Sequence, residues 1–377
     1  YLTINATDLP DLSNVQSMNT MFHNATNIKA DLSLWDVSSV INMDGMFYGA
    51  THFVSDLSKW DVSSVTNMGE MFRSAAHFES DLSAWDVSKV SDFAYMFLSA
   101  NKFTSDLSQW NTSSATRFFG MFQQAYAFES DLSQWDVSAT TNLSTMFYGA
   151  NKFTSDLSQW DVSQVEDMSS MFSGASSFNS DLSDWDVSQV KSMIGMFSGA
   201  SSFNSDLSGW DVSQVEDIRS MFSGASSFNS DLTDWDVSNI TNLNSVFYLA
   251  TSFNGDISNW DVSNVTTMNN TFMYATSFNQ NLDNWDLSSV VSIDDFVSHS
   301  NLDTATYDSI LFKLASYPTL ENFNLQLYSS QYSEFGLVPR SVLIDRGWSI
   351  TDGGQDFSEN PVITLNGPST IYLQTGS

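Results

Sequence analysis

The nine residues Ser130–Ser138 read SDLSQWDVS, and near copies of this stretch recur through most of the 377-residue chain. The variants SDLSKWDVS, SDLSAWDVS, SDLSDWDVS and SDLSGWDVS each differ from it by one letter. The tryptophans at their centres are 25 residues apart, at Trp35, Trp60, Trp85, Trp110, Trp135, Trp160, Trp185, Trp210, Trp235, Trp260 and Trp285. A fixed period of roughly 20 to 50 residues is typical of solenoids, in which successive units stack. The 25-residue repeat is therefore the structural unit.

Composition excludes several classes of protein. Hydrophobic residues make up 42% of the chain and aromatic residues 14%, which is enough for a continuous core. The net charge of −32 repels nucleic acid phosphates and anionic lipids, so we expect no nucleic-acid partner and no direct membrane insertion by this segment. Cysteine is absent, which excludes a disulfide framework but leaves the compartment open.

One unit predicts a strand, a corner and a short helix. Apolar and polar residues alternate over Phe128–Leu132, as in a strand with one buried face. Trp135 falls on the opposite parity, which predicts a turn just before it. In the next unit, the apolar residues of Val165–Ala175 recur at steps of three and four, which predicts a helix with one buried face.

Stacking such units predicts an α/β solenoid related to leucine-rich repeats. We expect about twelve 25-residue coils, with a parallel β-sheet on one face and short helices on the other. The expected domains are an N-terminal cap (1–13), the repeat solenoid (14–300), a C-terminal capping unit (301–354), and a linker with the first strand of a following domain (355–377). Beyond Asn301 the period is expected to stop, with TYDSILFKLASY forming a helix and SVLIDRGWSITDGG a strand.

Two aspartate columns flank the tryptophans. The first column lies four residues before each tryptophan and the second lies immediately after it, as Asp131 and Asp136 do around Trp135. Stacking brings like charges together, so the repulsion must be offset either by hydrogen bonds from turn N–H groups or by calcium shared between coils. Asn111 and Asn281 replace the aspartate in one unit each, which favours hydrogen bonding. We expect no cofactor, with calcium as the alternative.

No catalytic motif is present. The four histidines (His23, His52, His77 and His299) lack the close spacing of a metal pair, so we expect no metal site. Repetition places each carboxylate in the same environment, whereas acid–base catalysis needs two different environments. We therefore expect a protein that is not an enzyme.

Candidate binding residues lie in the first aspartate column and in the corner column, the residue immediately before each tryptophan. Both columns are expected to face solvent, and the corner column varies between units. The candidates are Asp106, Gln109, Asp131, Gln134, Asp156, Gln159, Asp181, Asp184, Asp206, Asp231 and Asp234.

The repeat MFSGASSFNSDLSDWDVSQVKSM resembles the BspA-like leucine-rich-repeat surface proteins of bacteria. The pattern MF-x-x-A-x-x-F-x-x-D-L-x-x-W-D-V-S carries the resemblance from about Asp11 to Gly354, and PVITLNGPSTIYLQTGS is similar to the opening strand of bacterial Ig-like domains. The resemblance implies a protein on the bacterial cell surface, or secreted, and it implies no catalytic residues.

Two functions follow as hypotheses. In the first, the chain is an extracellular adhesion or binding module that presents its acidic face to protein or glycan on another cell or matrix. In the second, near-identical units such as those of residues 171–232 pack against copies of the chain in a surface layer or filament.

Overall fold

The computed structural model describes residues 9–28 and 30–358, and it confirms the solenoid. Backbone N–H groups of one coil donate to carbonyls 24 residues further on, as Phe172 does to Met196 (2.9 Å) and Phe197 to Met221 (2.9 Å). One hydrophobic core runs without a break from Leu12 to Trp348. The units therefore share a single continuous core, as a repeat array requires.

Each tryptophan is a buried link between coils. The Nε1–H of Trp160 donates to the carbonyl oxygen of Leu132 in the preceding coil at 2.9 Å, and the Trp160 side chain is only 4% exposed. The same carbonyl accepts the N–H of Trp135 at 3.0 Å, which closes the turn at the corner. A carbonyl has two lone pairs, so one Leu132 oxygen joins the local turn to the neighbouring coil. The bond recurs for Trp60, Trp85, Trp110, Trp135, Trp185, Trp210, Trp235, Trp260 and Trp285.

Phenylalanine side chains stack in ladders beside the tryptophans. Phe172 and Phe178 of one coil have ring centroids 3.9 Å apart. Phe172 also stacks on Phe197 of the next coil at 5.7 Å, and Phe178 stacks on Phe203 at 6.1 Å. Aromatic pairs of this kind contribute about 0.5–1.5 kcal/mol beyond the burial of their area. Because every coil repeats the pair, the ladders fix the stacking distance.

The predicted helices in the repeats are wrong. Residues 9–28 and 30–303 contain no α-helix, and Val165–Ala175 forms three overlapping turns instead. The N–H groups that close these turns donate three residues back, from Met171 to Met168, from Ser173 to Ser170 and from Ala175 to Phe172. Two residues of this segment have left-handed backbone, Ser170 (φ 55°) and Gly174 (φ 71°).

The direction of the remaining N–H groups explains why no helix forms. The N–H groups of Met168, Ser170, Phe172 and Gly174 donate to the next coil, to the carbonyls of Ser192, Ile194, Met196 and Ser198. An α-helix would direct these groups four residues back within the segment. The three- and four-residue spacing of the apolar side chains therefore arises from turns that bury one side.

The predicted parallel sheet of the repeats is also wrong. Phe128–Leu132 alternates buried and exposed residues as expected. The N–H of Leu107, however, donates to the hydroxyl of Ser130 at 2.8 Å and not to a backbone carbonyl. A serine side chain thus replaces the strand-to-strand bond, and pairing between repeat coils is limited to isolated bridges such as Asn142 with Asp167.

Regular elements occur after the repeats, in the order α1 (Thr304–Ala315), β1 (Asn324–Gln326), α2 (Glu334–Asp345) and β2 (Ser349–Thr351). The two helices pack on each other, and the two strands pair in parallel. Asp303 and Ser333 cap the helices by accepting N–H groups of the first turn. Neither of these helices is long and apolar enough to cross a membrane.

The 25-residue register continues into this capping unit, contrary to our expectation that it stops at Asn301. Asn324 pairs with Ser349, 25 positions later. The Nε1–H of Trp348 donates to the carbonyl of Leu320 at 2.9 Å, across the same 28 residues that separate the partners in the repeats. The strand predicted over Ser341–Gly354 begins only at Ser349, because residues up to Asp345 belong to α2.

The hydrogen-bonded cap reaches residues that we expected in a linker. The N–H of Asp356 donates to the carbonyl of Tyr332 at 2.7 Å, and Gln355 forms a parallel bridge with Tyr332. The predicted Ig-like strand falls largely on residues 359–377, which lie outside the described part of the chain. The first eight residues of the predicted N-terminal cap also lie outside it.

The indole bond can be tested with Trp160→Phe, which keeps an aromatic ring and removes the donor. We expect the free energy of unfolding to fall by about 1–3 kcal/mol, because the buried carbonyl of Leu132 loses one partner. Urea denaturation followed by far-UV circular dichroism measures this change. Tyr126→Phe, at a side chain that is 43% exposed, is the control, and equal losses in the two variants would contradict a role for the bond.

Candidate functional site

All eleven predicted binding residues are exposed, and they lie in two columns that run along one side of the stacked coils. The first aspartate column contributes Asp106, Asp131, Asp156, Asp181, Asp206 and Asp231. The corner column contributes Gln109, Gln134, Gln159, Asp184 and Asp234. Because the repeats lack a sheet, this surface is a row of turns, and we call it the turn face.

Hydrogen bonds hold the first aspartate column in place. Oδ1 of Asp131 accepts the N–H of Ser133 at 2.9 Å, which closes a turn around Leu132. The hydroxyl of Ser155 in the next coil donates to the same oxygen at 3.2 Å and accepts the N–H of Leu132 at 2.8 Å. Each carboxylate is therefore bonded both to its own coil and to the next one.

The second aspartate column makes the same kind of turn. Oδ1 of Asp136 accepts the N–H of Ser138 at 3.0 Å. The two asparagine substitutions keep the bond, since Asn111 accepts from Ser113 at 3.1 Å and Asn281 accepts from Asp283 at 2.7 Å. The hydrogen-bonding interpretation of these columns is confirmed, because the amide oxygen serves as well as the carboxylate.

These bonds also keep the carboxylates ionised. The N–H of Ser133 lowers the pKa of Asp131 below its usual value, and the hydroxyl of Ser155 adds to the effect. Repulsion from Asp106 in the preceding coil raises the pKa of Asp131, but it is the smallest of the contributions. The backbone bond likewise lowers the pKa of Asp106, Asp156, Asp181, Asp206 and Asp256.

Three of the predicted residues line one groove. Asp206, Asp231 and Asp234 face a depression of about 680 Å³. The remaining lining residues were not predicted, and they are Asn204, Ser205, Ser208, Asn229, Ser230, Thr233 and Asp256. All of the lining residues are neutral or acidic, so the groove carries a concentrated negative charge. The other eight predicted residues lie on the turn face outside this groove.

An asparagine ladder forms one wall of the groove. The side-chain oxygen of Asn204 accepts the N–H of Asn229 at 2.9 Å, and Asn229 accepts the N–H of Asn254 at 2.7 Å. The ladder begins at Asn179, which accepts from Asn204 at 2.8 Å, and it reaches Asn279. Asparagine recurs at this position every 25 residues, so the repeat alignment itself contained the signal that our prediction missed.

Two histidines that looked distant in sequence are neighbours. His52 and His77 differ by one repeat, and their rings stack with centroids 5.0 Å apart. Our expectation of no metal pair relied on sequence spacing, which does not apply across coils. Within residues 9–28 and 30–358, no three metal-ligating side chains come together.

The family follows from matches along the repeats. The model of a family described as a Mycoplasma protein of unknown function, DUF285, matches residues 3–108, 54–158, 80–181, 141–238 and 230–308. These overlapping matches cover most of the chain. The chain belongs to the DUF285 family.

Other comparisons add little to this assignment. No curated protein matches the DUF285 chain. Among solved structures, it is similar to an internalin (inlF) from Listeria monocytogenes str. 4b F2365, with 10% sequence identity and a TM-score of 0.24, over 80% of this chain and 82% of that one. A likeness at this TM-score says nothing about what the DUF285 chain binds.

Acid titration tests the aspartate turns of the DUF285 chain. A carboxylate with a lowered folded pKa stabilises the fold above its unfolded pKa, and this stabilisation is lost as the pH falls through the folded value. The unfolded value is near 3.8, so we expect the melting temperature to drop below about pH 4. Differential scanning calorimetry at stepped pH measures this drop.

Asparagine variants separate the turn bond from the charge. The triple variant Asp131→Asn, Asp156→Asn and Asp181→Asn keeps the acceptors, so we expect near wild-type stability at neutral pH and a smaller loss in acid. Asp184→Asn is the control for removing one surface charge alone. A triple variant that is strongly destabilised at pH 7 would show that the charge itself is required.

Proposed function

We propose that this chain is a non-enzymatic binding module on the bacterial cell surface, or secreted from it, that recognises protein or glycan through the turn face. The groove lined by Asp206, Asp231 and Asp234 is the single observation that carries this proposal. It is concave, spans successive coils and collects carboxylates, amides and hydroxyls in one place. Such groups accept and donate hydrogen bonds to sugar hydroxyls and attract cationic side chains.

The rigidity of the groove supports recognition. Asp206 is held by the N–H of Ser208 at 2.9 Å and by the hydroxyl of Ser230 at 3.1 Å. The asparagine wall is held by bonds from coil to coil. A site whose side chains are already ordered loses less conformational entropy on binding, so more of the contact energy becomes affinity.

The charge of the groove indicates the class of partner. Carboxylates of three successive coils face it, and every lining residue is neutral or acidic. Electrostatic complementarity favours a basic protein surface, while the amide and hydroxyl groups suit a neutral glycan. The net charge of −32 argues against nucleic acid and anionic membranes as partners.

The surface location rests on the sequence resemblance. The repeat pattern is that of BspA-like leucine-rich-repeat surface proteins, which are adhesive bacterial proteins. Membership of the DUF285 family agrees with a tandem-repeat architecture. We propose no catalytic role and no required cofactor, because the stacked carboxylates share one environment and their offsetting bonds come from serine.

The alternative is a structural role in a surface layer or filament. Near-identical coils over residues 171–232 offer a repeated surface that a second copy can match in register. Analytical ultracentrifugation over a hundredfold concentration range separates the two proposals. A binding module stays monomeric over this range, whereas a filament subunit assembles.

The binding proposal predicts that neutralising the groove abolishes ligand capture. We expect Asp206→Asn, Asp231→Asn and Asp234→Asn together to remove binding that the wild-type chain shows on a glycan array or on immobilised lysine-rich peptides. Asp211→Asn, Asp236→Asn and Asp261→Asn are the matched control, since they remove three charges from the same region in the second aspartate column. Equal binding by both variants, or none by the wild type, would count against the groove.

Calcium removal tests the alternative offset of the carboxylates. Because serine donors already compensate the first aspartate column, we expect EDTA at fixed ionic strength to leave the melting temperature almost unchanged. Calcium bound to the native state at a hundredfold excess over its Kd would instead stabilise the fold by about 2.7 kcal/mol. A drop of many degrees on adding EDTA would identify a calcium-dependent protein.

A further inference from the structure

His52 and His77 place two imidazoles side by side on successive coils. Their ring centroids are 5.0 Å apart and their planes differ by 15°. Among the described residues, the other two histidines stack on tyrosines, His23 on Tyr48 at 4.5 Å and His299 on Tyr274 at 4.2 Å. The pair is therefore a local arrangement with built-in controls elsewhere in the same chain.

Backbone carbonyls determine which nitrogen of each ring is free. Nδ1 of His52 lies 3.2 Å from the carbonyl oxygen of Thr26, and Nδ1 of His77 lies 2.9 Å from that of Thr51. A carbonyl only accepts hydrogen bonds, so Nδ1 carries the proton in each neutral ring. The lone pair then resides on Nε2 of both rings. Donation of the other ring nitrogen to a carbonyl is the usual support for a histidine that ligates a metal.

The surroundings leave room for an ion and its remaining ligands. His52 is exposed and lines a groove of about 530 Å³ together with Asp31, Asp56 and other residues. No third metal-ligating side chain completes a cluster within the described residues, so the protein would supply two nitrogens. Water or an external ligand fills the remaining positions, as in open metal sites.

We propose that His52 and His77 form a two-nitrogen site for a divalent transition-metal ion of the copper, nickel or zinc type. Imidazole suits these ions, whereas calcium and magnesium prefer oxygen ligands. Metal–nitrogen bonds are about 2.0–2.1 Å long, so the two Nε2 atoms must converge on one ion. Rotation of the exposed His52 side chain provides this convergence. The proposal concerns different coils from the acidic groove and does not depend on the function proposed above.

Copper titration tests the pair, because Cu²⁺ binds most tightly among these ions at a given nitrogen site. Isothermal titration of the full chain is run in excess Ca²⁺, which occupies carboxylate oxygens. We expect one ion per chain to bind with an affinity that falls about tenfold or more in His52→Asn and in His77→Asn, because each variant loses the chelate. Asn27 occupies the equivalent position one coil earlier, so asparagine fits this column.

Matched controls and spectroscopy distinguish chelation from loose binding. His23→Asn and His299→Asn should bind Cu²⁺ as the wild type does. Electron paramagnetic resonance of the bound Cu²⁺ should show coupling to two imidazole nitrogens in the wild type and to one in His52→Asn. Unchanged affinity in both His52→Asn and His77→Asn, or a wild-type spectrum with a single nitrogen, would overturn the proposal. Melting curves confirm that each variant is folded at the titration temperature.

Discussion

The structure depends on one carbonyl oxygen in each coil that accepts two hydrogen bonds. In Leu132, this oxygen receives the N–H of Trp135, which closes the corner, and the indole N–H of Trp160, which comes from the next coil. The local turn and the stacking of coils are thus coupled at a single buried atom. The coupling explains why the tryptophan recurs so regularly, since its large ring fills the core while its donor reaches the neighbouring coil.

The sequence predicted the parts of the fold that depend on burial. The tryptophan spacing, the alternation in Phe128–Leu132 and the corner before Trp135 all appear in the structure as expected. The helix over Val165–Ala175 does not, because apolar spacing reports which side chains are buried and not where the N–H groups point. Ser170 adopts a left-handed backbone without being glycine, and nothing in the apolar pattern of its unit marks this.

Sequence reasoning about the sites was limited by the same problem of neighbourhood. Asp131 and Asp136 were understood from a single unit, because their partners Ser133 and Ser138 lie two residues away. The groove wall and the stacking of His52 on His77 depend on contacts between coils. In a solenoid, residues 25 positions apart are the relevant neighbours, so motif searches along the chain miss them.

The continuity of the register into the capping unit has a consequence for how such a protein changes in length. Asn324 and Ser349 remain 25 positions apart, and Trp348 makes the bond that every repeat makes, although helices α1 and α2 replace the overlapping turns. The junction between repeat and cap thus uses the same bonds as the junction between two repeats. Recombination between near-identical gene segments can therefore add or remove whole coils, and the cap fits the new end without any compensating mutation.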